Sequence, residues 1–240
     1  MLELKDISFS VDTDEGRKHI LNRVNLKIDT GFTAFTGPNG GGKSTIAKVI
    51  AGIYRPTSGK IYLDGEDITD LSISQRAKRG ISLAWQQPIR FKGLCVLDLI
   101  RLAAGKEIGI SEACDYLSKV GLCAREYIHR EINSSLSGGE LKRIEIAQII
   151  ARNTPVSIFD EPEAGIDLWS FQNLIQVFQK LRESSSGSIL IISHQERILK
   201  IADRVVVISG GAVTDSGSPE DVLPGLLDGN GVCSVLTSQM

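Results

Sequence analysis

The stretch Phe32-Thr-Ala-Phe-Thr36-Gly37-Pro38-Asn39-Gly40-Gly41-Gly42-Lys43-Ser44-Thr45-Ile46 decides the fold. It joins a short apolar run to a glycine-rich loop, and Ile46, Val49 and Ile50 then repeat at helical spacing. Gly37 to Ser44 satisfies GxxxxGK[ST] in the strand, loop and helix setting that this motif requires. The glycines let the backbone curl so that successive N–H groups point inward at phosphate oxygens, and the helix start adds its positive dipole end. Lys43 then reaches the β and γ phosphates, Ser44 offers its hydroxyl to Mg²⁺, and Thr45 touches the α phosphate.

Other segments predict residues for the same sheet edge. Val156 to Phe159 is apolar and runs into Asp160-Glu161, two carboxylates where an open parallel sheet presents its ligands. Asp160 suits the shell of a magnesium ion, which takes oxygen ligands. By the two-residue period of a strand, Glu161 points away from Asp160 and is placed to take a proton from an attacking water. His194 follows the run Ser188 to Ser193 and supplies an imidazole donor for a γ phosphate. Gln86 ends the run Ile81 to Trp85, and its amide can bridge magnesium, water and a neighbouring subdomain; Gln87 is the alternative.

Leu2 to Val11 and Ile20 to Ile28 alternate apolar and polar, which predicts an antiparallel layer. Cys95 to Tyr127 turns helical, predicting an inserted helical subdomain over about residues 89–137. Helix 138–152, strand Val156 to Phe159, helix 168–183, strand Ser188 to Ile192 and strand Arg204 to Ile208 then alternate, as parallel strands with crossovers do. Ser218-Pro219-Glu220 reads as a last helix start, and the tail 228–240 as loosely held.

The 240 residues suit one α/β domain. With 27 basic and 29 acidic residues, a net charge of −2 and no block of like charge, nucleic acid is not an expected partner. No apolar run approaches the roughly 20 residues that span a bilayer, and no signal peptide pattern opens the chain, so a cytoplasmic protein without membrane insertion is expected. Cys95, Cys114 and Cys123 read as small core residues, while Cys233 falls in the tail and carries no role.

Leu136-Ser137-Gly138-Gly139-Glu140 is a motif that ordinary phosphate-loop proteins lack, and with it the chain resembles the ATP-binding cassette (ABC) ATPase family. The resemblance covers essentially the whole chain in order: phosphate loop, Gln86, the Leu136 signature, Asp160-Glu161, Ala164-Gly-Ile-Asp167 and His194. It implies a single phosphate-loop NTPase domain over 1–240 with a RecA-like parallel sheet, and hydrolysis of ATP with Mg²⁺. It also implies a transient head-to-tail dimer of two copies around ATP. Ser137, Gly138 and Gly139 of one copy would cover the γ phosphate held by the other, and Asp167 would join the nucleotide contacts. The Ser-Gly-Gly turn before a helix is physically an anion nest. Because closure costs the entropy of association, the isolated protein is expected to be mostly monomeric and slow. Val11 stands where the family usually has an adenine-stacking tyrosine, leaving stacking weak or carried by His19. Gly41 stands where serine is frequent, a change expected to matter little.

Within the family, the chain is similar to the cytosolic ATPase of iron–sulfur cluster assembly, the SufC type. The residues are Ala84-Trp85-Gln86-Gln87-Pro88, Leu136 to Arg143 with Glu145 and Gln148, Ser193-His194-Gln-Glu-Arg197, and Val11. A SufB or SufD type scaffold is then the expected partner. Pro162 and Ala164 are instead typical of transporter cassettes. In that alternative, the nucleotide-binding subunit of a membrane transporter, a permease would dock beside Gln86, near Arg90 and Phe91. A third reading, a nucleotide-gated switch with little turnover, is opposed by Glu161.

Overall fold

The computed structural model describes residues 1–14, 16–86, 91–133, 136–184 and 186–227. Gln87, Arg90, the tail 228–240 with Cys233, and parts of the 89–137 segment lie outside them. The chain runs β1 (Leu2–Thr13), β2 (Gly16–Ile28), β3 (Gly31–Thr36), α1 (Lys43–Ala51), β4 (Ser58–Leu63), β5 (Glu66–Asp67), α2 (Ile73–Lys78) and β6 (Ile81–Ala84). Then follow α3 (Val96–Ala104), α4 (Ile110–Lys119), α5 (Ala124–Tyr127), α6 (Gly138–Arg152), β7 (Val156–Asp160), α7 (Leu168–Ser184), β8 (Ser188–Ile192), α8 (Glu196–Lys200), β9 (Arg204–Ser209), β10 (Ala212–Gly217) and α9 (Pro219–Leu227).

Two sheets form. The alternating N-terminal strands make an antiparallel layer, β2-β1-β4-β5, and the larger sheet has the order β10-β9-β3-β8-β7-β6. Its β9, β3, β8, β7 and β6 are parallel, and β10 pairs antiparallel with β9. Because side chains alternate across a strand, the apolar runs of this sheet feed two cores. Phe32, Phe159, Ile189, Ile191, Val205 and Val207 pack on one side with α3, α4, α6 and α7, where Phe178 meets Phe159 edge to face at 5.1 Å. Phe35, Ile158, Leu190, Ile192, Val206 and Ile208 pack on the other with α1 and the antiparallel layer. Each such side chain, fully buried, contributes roughly 1.5–3 kcal/mol.

Buried Arg76 ties α1 down. Its guanidinium donates to the Val49, Ile50, Thr69 and Leu71 carbonyls, satisfying acceptors at the end of the helix that begins with Lys43. The sequence reading overlooked α2, β5 and β10. It also placed Cys123 in the core, whereas Cys123 is exposed as the cap before α5, and Cys95 and Cys114 are only partly buried.

Candidate active site

Parallel strands bring the motifs to one edge. Phe35 and Asp160 both pair with Ile192, and Ala84 pairs with Phe159, so β3, β8, β7 and β6 finish level. The loops leaving those ends carry Gly37 to Lys43, His194, Glu161 and Gln86.

The phosphate loop is a backbone cradle. Gly37 has φ 128°, and a Cβ there would meet the Ile208 carbonyl at 2.1 Å; Gly42, at φ 107°, caps α1. Only glycine fits both the dihedral and the space at Gly37. A Cβ on Gly41 would lie 2.7 Å from the Ile208 carbonyl, so this loop sits closer to β9 than a serine allows, and Gly41 is not the neutral change expected from sequence. Lys43 is buried and its Nζ donates to the Gly37 and Pro38 carbonyls at 2.8 and 2.9 Å. Burial lowers its pKa, and Glu161 and Asp160 pull it partly back.

The structure brings Ser44 and Asp160 together: Ser44 Oγ donates to Asp160 Oδ1 at 2.9 Å. Burial raises the Asp160 pKa, offset in part by that hydrogen bond. Glu161 diverges from Asp160, but for a different reason than strand alternation. The strand ends at Asp160, and Glu161 turns into the left-handed region with φ 46° while its N–H donates to the Ile192 carbonyl at 3.0 Å. A non-glycine residue held there stores backbone strain. The kink aims the carboxylate at two groups: Gln86 Nε2 donates to Glu161 Oε2 at 2.6 Å, and His194 Nε2 lies 3.8 Å from Glu161 Oε1. Burial, then Lys43, lowers the His194 pKa against the pull of Glu161, which keeps the ring neutral near pH 7.

One residue escaped the sequence reading. Glu163 accepts a hydrogen bond from buried Ser193 Oγ, and burial raises its pKa. It lies between Pro162 and Ala164, but only a structure shows it turning inward.

The signature turn is built differently. Ser137 caps α6: its Oγ accepts from Glu140 N at 3.2 Å while Glu140 accepts from Ser137 N at 2.6 Å, a closed capping box. A hydroxyl that accepts this bond still keeps its hydrogen to donate. Ser137 and Gly138 are exposed, and a Cβ on Gly138 would lie 3.8 Å from the Gly165 carbonyl, which sets the signature beside the loop ending at exposed Asp167. On the antiparallel layer, whose Ile20 and Leu21 lie against Gly42, Ser10 Oγ and His19 Nδ1 are 2.9 Å apart, and Val11 pairs with Lys18.

These residues fit MgATP by their chemistry. A cradle that excludes a Cβ and opens a helix suits phosphates, and a partly buried hydroxyl–carboxylate pair suits a hard cation. A family profile described as ABC transporter matches residues 21–164. The chain is 42% identical over 216 residues to an ABC transporter ATP-binding protein of Methanocaldococcus jannaschii, covering 86% of each. It is 36% identical over 235 residues to the probable ATP-dependent transporter ycf16 of Pyropia yezoensis, covering 91% of each. Its fold matches an ATP-binding cassette solved as a dimer in a post-hydrolysis state bound to ADP and Pi, with a TM-score of 0.81, 25% identity, and coverage of 91% of this chain and 99% of that one.

The chain therefore belongs to the ABC transporter ATPase family. It is an ATPase that works on ATP with Mg²⁺. Among the described residues, no helix is long and apolar enough to cross a membrane.

Proposed function

We propose that this ATPase is of the SufC type, driving conformational change in a SufB or SufD type scaffold during iron–sulfur cluster assembly, and that it does so as a head-to-tail dimer closed on two ATP molecules. The supporting observation is the α6 pattern Leu136 to Gln148, in which Lys142 and Glu145 are turned inward beneath Trp85. Next to them lies a cavity of about 240 Å³ lined by Trp85, Phe91, Leu99, Ile144 and Glu145, a groove suited to a segment of the scaffold. In this reading the protein is cytoplasmic, its single domain spans 1–240, and its helical subdomain covers about 89–137.

In each site, Gly37 to Gly42 with Lys43 and Thr45 hold the phosphates, and Ser44, Asp160 and Gln86 hold Mg²⁺. The ion, when bound, neutralises charge on the phosphate oxygens. Glu161 accepts the proton of the attacking water, with Gln86 fixing its carboxylate, and neutral His194 donates to the γ phosphate. Ser137, Gly138 and Gly139 of the second copy cover that phosphate, with Asp167 at the same interface. The exposed but internally satisfied capping box at Ser137 supports this: the turn is complete as a helix start, and Ser137 and Gly138 stand at the surface where a second copy can reach them.

A second reading, the nucleotide-binding subunit of a membrane transporter, is favoured by Pro162 and Ala164 and by the transporter names of the relatives. Affinity purification of the tagged chain from its native cells separates the two. Recovery of a soluble scaffold with cysteine ligands is the expected result; recovery of a multi-span membrane protein contradicts the assembly role.

A further inference from the structure

We propose that Lys142 and Glu145 are positioning residues that grip both backbone polar groups of Trp85 and thereby aim the Gln86 amide at Glu161. This rests on the roles proposed above for Gln86 and Glu161. β6 is the edge strand of its sheet, and its ladder ends where Ala84 pairs with Phe159. The N–H and C=O of Trp85 lie past that end, where α6 supplies partners for both: Glu145 Oε1 accepts from Trp85 N at 2.8 Å, and Lys142 Nζ donates to the Trp85 carbonyl. Lys142 and Glu145 are three residues apart and so share a face of the helix. The Trp85 carbonyl belongs to the rigid peptide plane that carries the Gln86 nitrogen, so holding it sets the direction in which the Gln86 side chain departs. Gln86 Nε2 then meets Glu161 Oε2 at 2.6 Å.

The grip is an expensive arrangement for mere packing. Lys142 is 2% exposed; burial lowers its pKa and raises that of Glu145, each pulled back by the other. Among the described residues, buried Glu145 Oε2 has no hydrogen-bond partner. An apolar pair of similar volume would fill this space without those costs but leave Trp85 unheld. The same helix begins at the Ser137 cap, so one rigid element links the signature turn to Gln86.

The test uses a Trp169→Phe background, in which Trp85 is the sole tryptophan of the two in the chain. Glu145→Leu and Lys142→Met should each lower kcat about tenfold at a temperature well below the melting transition, as a slightly misplaced catalytic group does, with KM for ATP within about twofold. Each also leaves its partner's charge buried alone and should lower the thermal midpoint. Trp85 emission of the nucleotide-free protein should shift, reporting the released backbone. Glu145→Gln, which keeps the Oε1 acceptor, should restore both kcat, to within about twofold, and emission. Gln86→Ala is the control and should slow turnover at least as much as Glu145→Leu. Unchanged kcat or unchanged emission in Glu145→Leu and Lys142→Met, or a Glu145→Gln variant as slow as Glu145→Leu, overturns the inference alone. Unchanged turnover in Gln86→Ala removes the underlying reading of the site, and the inference with it.

Discussion

The phosphate loop and the signature turn are both helix starts built from glycine, yet they satisfy themselves in opposite ways. At the loop, Lys43 is drawn into the protein, bonded to the carbonyls of Gly37 and Pro38, with Ser44 held by Asp160 from a distant strand. At the signature, Ser137 and Glu140 close a local box on the surface, and Gly138 stands exposed beside Gly165. The first is assembled from several strands of its own chain; the second is a finished surface element. That contrast is what a site shared between two copies requires: one part that binds nucleotide alone and one that acts only across an interface.

Chemistry should separate from both regions first. Glu161→Gln should lower turnover by roughly 10² to 10⁴-fold, the usual contribution of a general base, while equilibrium dialysis finds ATP bound as in the parent. Unchanged turnover would take Glu161 out of that role.

The loop and the signature should then part company in binding. Lys43→Ala loses a charge-assisted bond to phosphate and should weaken ATP binding to the isolated chain by roughly 10 to 100-fold and, with the γ phosphate unheld, abolish turnover. Ser137→Arg should leave that affinity within about twofold and yet abolish turnover. Equal weakening in the two variants would erase the distinction between them.

The smallest effect concerns stability. Burial raises the Asp160 pKa, so the folded state binds that proton more tightly than the unfolded one, and this site's contribution is lost as pH climbs through the raised value. At neutral pH the buried charge is therefore a cost. Asp160→Asn removes it and keeps an acceptor for Ser44, so the ligand-free midpoint should rise by at least about 2 °C while Mg²⁺-dependent turnover disappears. A lower midpoint would mean that the carboxylate is better compensated than its burial implies.

Much of this arrangement was legible in the residues. The unbroken apolar run Ile189 to Ile192 reads as a strand buried on both faces, and Ser137 with Glu140 three residues on marks the start of α6 at Gly138. Local pattern failed where distant partners decide. Glu161 was expected to alternate with Asp160 along a strand, but its backbone turns into the left-handed region while its N–H still completes the ladder to the Ile192 carbonyl. β10 is polar, with Thr214, Asp215 and Ser216, and forms because β9 offers it an edge. The inward turns of Lys142, Glu145 and Glu163 defy the rule that charges face water, and no periodicity announces them. α2 was an avoidable omission, since Ser72 and Gln75 spell its capping box.

Mixing two dead variants tests most directly whether loop and signature serve each other across two copies. Lys43→Ala keeps an intact signature and Ser137→Arg an intact phosphate loop, so their mixed dimer contains one complete composite site. Combined at equal concentration, the two inactive proteins should recover about a quarter of the parental turnover, because half of the dimers are mixed and each has one working site of two. A mixture as inactive as either variant alone would show that each site is complete within its own chain, and would contradict this account.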